Sequence, residues 1–317
     1  MHNINEGRMM YYGEKPWHGI GKQLDHPATA EEAIKAAGLD YRVDQRELVA
    51  QVNGSFKPVP RKHITYRTDK HEPLGIVGDR YQLVQNSEAF SFFDQLVGEG
   101  QAIYHTAGAL GRGERIWLLA KLPKDLLIFK EDVVEKYLCL TNSHDGTSSL
   151  RVYFTPVRVV CQNTLTMSLR DSASGVCVRH TVNLQGKMEE AKRILGLAMD
   201  YYGVFDEQAS LLASKKLTVK EAEGYFNRVL HLQEDKPSTR SLNVRATLLT
   251  LFEKGKGQDL KGIQHSAWAA YNAVTEYVDH CEVAGRKDPS TRLRSIWFGA
   301  GAQLKNQAFH EAVKLLK

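Results

Sequence analysis

The chain has 317 residues, with 42 Lys and Arg against 37 Asp and Glu and a formal net charge of +5. That length suggests one large or two ordinary domains with room for a substantial apolar core, and near-average apolar and charged fractions exclude a largely disordered chain. The mild positive charge permits a nucleic-acid partner without demanding one, and no run of about 18 apolar residues is present to span a membrane.

In chain order, the first 30 residues are irregular, punctuated by Gly13, Pro16, Gly19, Gly21 and Pro27. Met1–Met10 holds no apolar stretch of the kind a secretory signal needs. Thr29 followed by Ala30, Glu31, Glu32, Ala33 and Ile34 predicts a short capped helix that ends at Gly38. Strands follow over 47–52 and 58–67, joined by Asn53-Gly54, a two-residue hairpin turn. Short strands are expected at 74–77 and 81–84. Over 87–97, Ala89, Phe90, Phe93, Leu96 and Val97 share one helical face. A second hairpin pairs 102–107 with 114–122 across the glycine-rich 108–113. A third pairs 136–141 with 149–160 across Asn142-Ser-His-Asp-Gly146. A short helix from 161 or 162 to 169 and a strand over 176–181 complete this part.

After Asn183 the period changes. A helix is predicted over 187–213. Thr218 and Glu221 form a capping box for another through 232. Further helices are expected at 241–254, 266–283 and 291–316. The expected fold class is α+β: an antiparallel β-hairpin-rich N-terminal part with a few helices over 1–183, then an all-α part over 184–317.

Several chemistries leave no trace. There is no phosphate loop, H-E-x-x-H or G-x-S-x-G motif. Gly299-Ala-Gly301 lies inside a helical pattern, where small residues serve close packing rather than a dinucleotide. Cys139, Cys161, Cys177 and Cys281 lack C-x-x-C spacing, so zinc-knuckle and thioredoxin motifs are excluded; three of them lie in apolar or β-branched runs and read as reduced core cysteines, a usage that fits a cytosolic compartment.

The candidate functional residues fall in five places. On the strand 150–155, Leu150, Val152 and Phe154 face one way and Arg151, Tyr153 and Thr155 the other, with Arg158 and Arg179 nearby in sequence. Cations beside an aromatic on a sheet suit single-stranded nucleic acid, phosphates pairing with Arg and bases stacking on rings; the plain alternative is a solvated or covered sheet face. His144 and Asp145 sit at a predicted hairpin tip, exposed and able to touch a ligand but too few for a metal site. Asn163 belongs to a polar cluster, Gln162 to Thr164, that caps a helix or binds a ligand. Asn272, Glu276, Asp279 and His280 recur at helical spacing, fit for a metal or acid–base work, or for an ordinary salt-bridged surface. The segment 286–317 carries seven Lys and Arg against two acids, and Arg286, Lys287, Arg292, Arg294 and Lys305 are placed to track phosphates. Trp17 and His18, between Pro16 and Gly19, suggest a loop docked on the core or on another subunit.

Taken together, Pro16-Trp-His-Gly-Ile-Gly21, Val77-Gly-Asp-Arg-Tyr-Gln-Leu-Val-Gln-Asn86, Thr106-Ala-Gly-Ala-Leu110 with Ile116-Trp-Leu118, Asn142 to Gly146, Arg158-Val-Val-Cys-Gln-Asn-Thr-Leu165 and Asn272-Ala-Val-Thr-Glu-Tyr-Val-Asp-His280 resemble the phage/plasmid-like protein family. The resemblance spans nearly the whole chain. It implies a bacterial cytosol and a mobile element's accessory gene, and it brings no biochemical activity with it. Such elements commonly encode strand-annealing proteins, which look like β-sheet-plus-helix modules assembled into rings, so the expected function is DNA binding in recombination or replication, by a homo-oligomer, with no cofactor and no membrane. The alternatives are a host-interaction or counter-defence protein that needs no nucleic acid and, behind it, a metal-dependent enzyme using Glu276, Asp279 and His280.

Overall fold

A computed structural model of the chain describes residues 9–13, 21–97, 103–158, 163–164, 175–180, 202–232, 238–281, 295–296 and 299–317. The strands are β1 Met9–Tyr12, β2 Lys22–Leu24, β3 Val43–Val52, β4 Ser55–Arg67, β5 Pro73–Gly78, β6 Ile103–Leu110, β7 Arg115–Lys121, β8 Leu126–Ile128, β9 Asp132–Ser143, β10 Leu150–Arg158, β11 Asn163–Thr164 and β12 Gly175–Val178. The helices are α1 Ala30–Ala36, α2 Asn86–Val97, the helical residues 202–214 (α3), α4 Val219–Val229, α5 Thr239–Lys254, α6 Ala267–His280 and α7 Ala300–Lys314. The fold is therefore α+β, β-rich first and helical afterwards. One sheet has the order β11-β10-β9-β7-β6-β1-β2, with β12 also on β10 and β8 also on β9; a second is β3-β4-β5.

The chain divides into two compact units, Met1–Leu122 with Leu138–Tyr153 and Gly175–Gly196, and Pro123–Tyr137 with Phe154–Ser174 and Leu197–Lys317.

In the first unit local chemistry sets the elements. Thr29 caps α1 in a full capping box with Glu32, and Gly38 leaves the helix at φ 60°. Asn53 and Gly54, at φ 50° and 81°, turn β3 into β4 with the positive angles a tight hairpin needs. β6 runs through Gly108 to Leu110, so the turn to β7 is 111–114 and shorter than the glycine-rich stretch suggests. Met9, Met10 and Tyr11 are buried in β1, antiparallel to β6 and parallel to β2. The expected irregular N-terminus thus contains two strands, each too short for alternation to register. The expected strand over 81–84 is instead a connection without regular structure, and its Gln82 and Val84 carbonyls accept from side chains. Buried Ala89, Phe90 and Phe93 line α2 as its spacing predicts.

In the second unit the core gathers around α6, whose Trp268 and Tyr271 pack with Phe205 of α3 and Phe309 of α7. Trp268 donates its indole N–H to Asp132 at 2.8 Å. α4 starts at the predicted capping box of Thr218 and Glu221. Gly301 meets Val278 and the Ser295 carbonyl so closely that a Cβ there would lie 2.9 Å from each, the close packing expected of that glycine pair. Asn163 and Thr164 pair with Arg158 and Val157, so this stretch is a strand rather than the start of a helix: the β10–β11 ladder holds it extended. The expected helical residues 187–201 and Trp297 and Phe298 lie outside the described residues.

Candidate nucleic-acid interface

The first unit interlocks two of the quoted motifs. Along 82–86, three side chains grip alternate positions. His180 donates from Nδ1 to the Gln82 carbonyl at 3.1 Å, Asn142 donates to the Val84 carbonyl at 3.1 Å, and His144 bonds Asn86 Oδ1 at 2.9 Å. Asn86 spends its own N–H on the Leu39 carbonyl, 2.8 Å away, so the His144 nitrogen facing Oδ1 is the protonated one. Tyr81 stacks on His180 at 4.7 Å and donates its hydroxyl to the Ser143 carbonyl. Thr65 on β4 donates to the His144 carbonyl at 2.7 Å, while the His144 N–H reaches the Glu114 carbonyl.

His144 is therefore in the interior, not at an exposed tip. Its backbone is claimed by β4 and the β6–β7 turn, and its ring by the N-terminus of α2. Burial drives its pKa down to about 3, with the neighbouring His180 acting the same way and Asp145 opposing. Burial also lowers His180. Asp145 follows with a tight local turn. Its Oδ1 accepts from the N–H and hydroxyl of Thr147 and from Ser143, at 2.6–2.9 Å. Burial raises this carboxyl, but those hydrogen bonds and Arg115 outweigh it and hold it below its ordinary value. Gly146, at φ 74°, supplies the expected turn geometry. Gly75 on β5 lies so close that a Cβ there would be 2.5 Å from Asp145 Cα.

This clasp fixes the loop beside one sheet edge. Arg115, at the start of β7, donates to Thr147 at 3.0 Å. On β10, Leu150, Val152 and Phe154 are buried and Arg151 is exposed, as alternation predicts. Arg151 stands opposite Cys177 of β12, and Arg179 follows two residues later; both Cys177 and Arg179 are exposed. The exposed Cys177 departs from the expected core cysteine, because it shares the open face of its cross-strand partner Arg151; Cys139 is buried as expected. Tyr153 is half-buried, its hydroxyl enclosed beside Cys139 and driven well above the ordinary phenol range by burial. It offers part of a ring and no solvent-accessible hydroxyl. Neither β10 nor β12 carries an acid.

The α6 quartet belongs to the second unit and is not a solvated face. Asn272, Glu276 and Asp279 are buried, and His280 is half-buried. Asp279 pairs with Lys305 at 2.9 Å, both side chains almost fully enclosed. Lys305 is thus a core cation, not a phosphate contact. Glu276 accepts from the Lys256 N–H at 3.1 Å, and Asn272 donates to the Trp268 carbonyl. Helical spacing shows that these residues share a side; packing decides that the side is interior. Among the described residues no group of three or more His, Cys, Asp or Glu is placed to hold a metal ion, and no helix is long and apolar enough to cross a membrane. Arg158 and Asn163 are strand residues facing each other across β10 and β11. Trp17, His18, Arg286, Lys287, Arg292 and Arg294 lie outside the described residues. Sequence reading passed over Asn86, Tyr81, His180 and Arg115. The first two stand inside the quoted 77–86 motif, but nothing local pairs that motif with 142–146.

Residues 73–297, well over half of the chain, match the family model described as a domain of unknown function, DUF932. No curated protein and no solved structure matches the chain.

Proposed function

Starting from the premise that this chain belongs to the DUF932 family, we propose that it is a nucleic-acid-binding accessory protein of a phage or plasmid, acting on single-stranded DNA in recombination or replication in the bacterial cytosol. The observation that carries this reading is the acid-free pairing of β10 with β12, on which Arg151 and its cross-strand partner Cys177 stand exposed, with exposed Arg179 just beyond β12 and Arg115 at the flank. Neither Arg151 nor Arg179 is spent on an ion pair within the described residues, so both guanidinium groups are available to phosphates. The partly exposed ring of Tyr153 gives a base limited stacking area. Strand annealing fits this chemistry, because contacts confined to the backbone leave base edges free to pair. One edge with few cations binds weakly, and repetition of the edge around a homo-oligomer would supply the affinity.

The test is fluorescence anisotropy of a labelled single-stranded oligonucleotide with the wild-type chain and with Arg151→Ala/Arg179→Ala. Binding by the wild type that falls at least tenfold in a variant of unchanged thermal stability is the expected result. Equal binding by the two proteins removes this edge as the site.

One observation favours a second reading, a host-interaction or counter-defence protein. Leu127, Phe129 and Val133 are exposed around the β8–β9 turn, a clustering that marks protein contacts. A single host protein recovered in stoichiometric yield, and lost with Leu127→Ser, would replace the nucleic-acid reading.

A further inference from the structure

The β3–β4 hairpin extends beyond the sheet to which it belongs. β5 pairs with β4 only from Lys62 to Tyr66, so the two strands continue alone from there to the Asn53-Gly54 turn. Six residues, Leu48 to Asn53, at about 3.3 Å each, give this ribbon a reach of about 20 Å. Residues 49–58 and 60–62 are all exposed, and only Leu48 and Val59 are half-buried, so both faces of the ribbon meet solvent. Phe56, 72% exposed, is the most open of the large apolar residues among those described, with Val49 and Val52 nearby on the same ribbon.

An isolated two-stranded ribbon of this length is a poor way to stabilise a fold, and a solvent-facing Phe adds nothing to it. Its charge points to an occupant. From 48 to 62 the chain holds Lys57, Arg61 and Lys62 and no acid, and none of the three forms an ion pair within the described residues. The register across the ribbon shifts between Glu47 and Val49, where β4 spends 59–62 opposite Leu48 alone. This bulge includes Pro60 and Arg61, the latter at φ 57°, and bulges of this kind bend the strand and sharpen its twist.

We infer that the free end of the β3–β4 ribbon is an arm that enters a groove of duplex DNA, with Lys57, Arg61 and Lys62 on the phosphates and Phe56 against the base edges or a base step. A major groove about 12 Å wide and 8.5 Å deep admits a two-stranded ribbon, and this one is longer than the groove is deep. Apolar side chains carried by such elements wedge between base steps. A second copy of the chain fits the ribbon less well. Acid-free cations repel their like, and Pro58 and Pro60 remove donors from the β4 edge that strand addition would use. An anionic membrane also fits less well, because the apex is Asn53-Gly54 and polar.

The inference uses none of the residues of the β10–β12 edge, and its test separates the two. A labelled duplex of about two turns (~20 base pairs) is titrated with wild-type protein, with Lys57→Thr/Arg61→Asn/Lys62→Thr, and with Phe56→Ser. Thr preserves strand propensity and Asn tolerates the positive φ at position 61, and melting curves report that the variants fold. The triple variant is expected to lose at least tenfold in duplex affinity, and its plot of log K against log salt to be shallower by up to about 2.7, three contacts at ~0.9 each. It should keep its single-strand binding, and Arg151→Ala/Arg179→Ala should keep its duplex binding. A wild-type protein that does not bind duplex, or a folded triple variant that binds it unchanged, overturns the inference whatever the edge variants do. Binding to phosphatidylserine–phosphatidylcholine vesicles through Phe56 in place of duplex also overturns it.

Discussion

Acid should weaken the first unit through His144, and the size of the effect follows from its surroundings. The ring is fully enclosed, its Nε2–H is committed to Asn86, and its backbone is held by Thr65 and Glu114. Its folded-state pKa of about 3 lies below the ordinary value of 6.5, so the unfolded chain takes up the proton first. Stability is therefore complete above about pH 6.5 and falls as the pH drops toward 3, by about 1.4 kcal/mol per pH unit for this one group. Between pH 6.5, where about 0.4 kcal/mol is already gone, and pH 4.5 the loss is about 2.3 kcal/mol. His180, also lowered by burial, adds to it in the same direction, while Asp145, held below its usual range, begins to contribute only at lower pH. The assay is urea denaturation at several pH values for the wild type and for His144→Gln, whose amide can still donate to Asn86 but does not titrate. The difference in unfolding free energy between the two proteins should shift by about 2.3 kcal/mol over that range. A pH-independent difference would refute the placement of a neutral, enclosed His144 in the clasp.

Three further outcomes follow from the packing. Gly75→Ala should destabilise the chain by about 1–3 kcal/mol or more, seen as a lower denaturation midpoint, because its Cβ would meet the Asp145 backbone at 2.5 Å and no side-chain rotation relieves that. Lys305→Met should cost about 3–5 kcal/mol by leaving Asp279 buried without its ammonium partner, whereas adding Asp279→Leu should recover most of the loss in the same melts. Cys177 should react rapidly with a thiol reagent in the folded protein, the fast phase vanishing in Cys177→Ser. Cys139, enclosed and with its thiol pushed up to about 12, should wait for unfolding.

What the sequence made legible was local chemistry. Thr29 with Glu32, Thr218 with Glu221, Asn53-Gly54 and Gly146 announce their caps and turns because the signal and the structure involve the same few residues. The alternation of β10 likewise gave the exposed Arg151. Long-range cover was not legible. Asn272, Glu276 and Asp279 have the spacing of a surface stripe, and only the packing of the second unit, with Lys305 from α7, makes that stripe interior. His144 looks like a loop residue because Asp145-Gly146 is turn chemistry. That Asn86, 58 residues earlier, captures its ring is invisible to any local pattern. The β3–β4 ribbon was legible as a hairpin, while its projection beyond β5 depends on a register that the chain alone does not declare.

The most direct test of the central claim is the salt dependence of single-strand binding, measured with the wild type and with Arg151→Ala/Arg179→Ala. The account predicts salt-sensitive binding whose slope of log K against log salt is shallower in the variant by about 1.4, two phosphate contacts at ~0.7 each. Parallel slopes, or no binding by the wild type even at low salt, would contradict it.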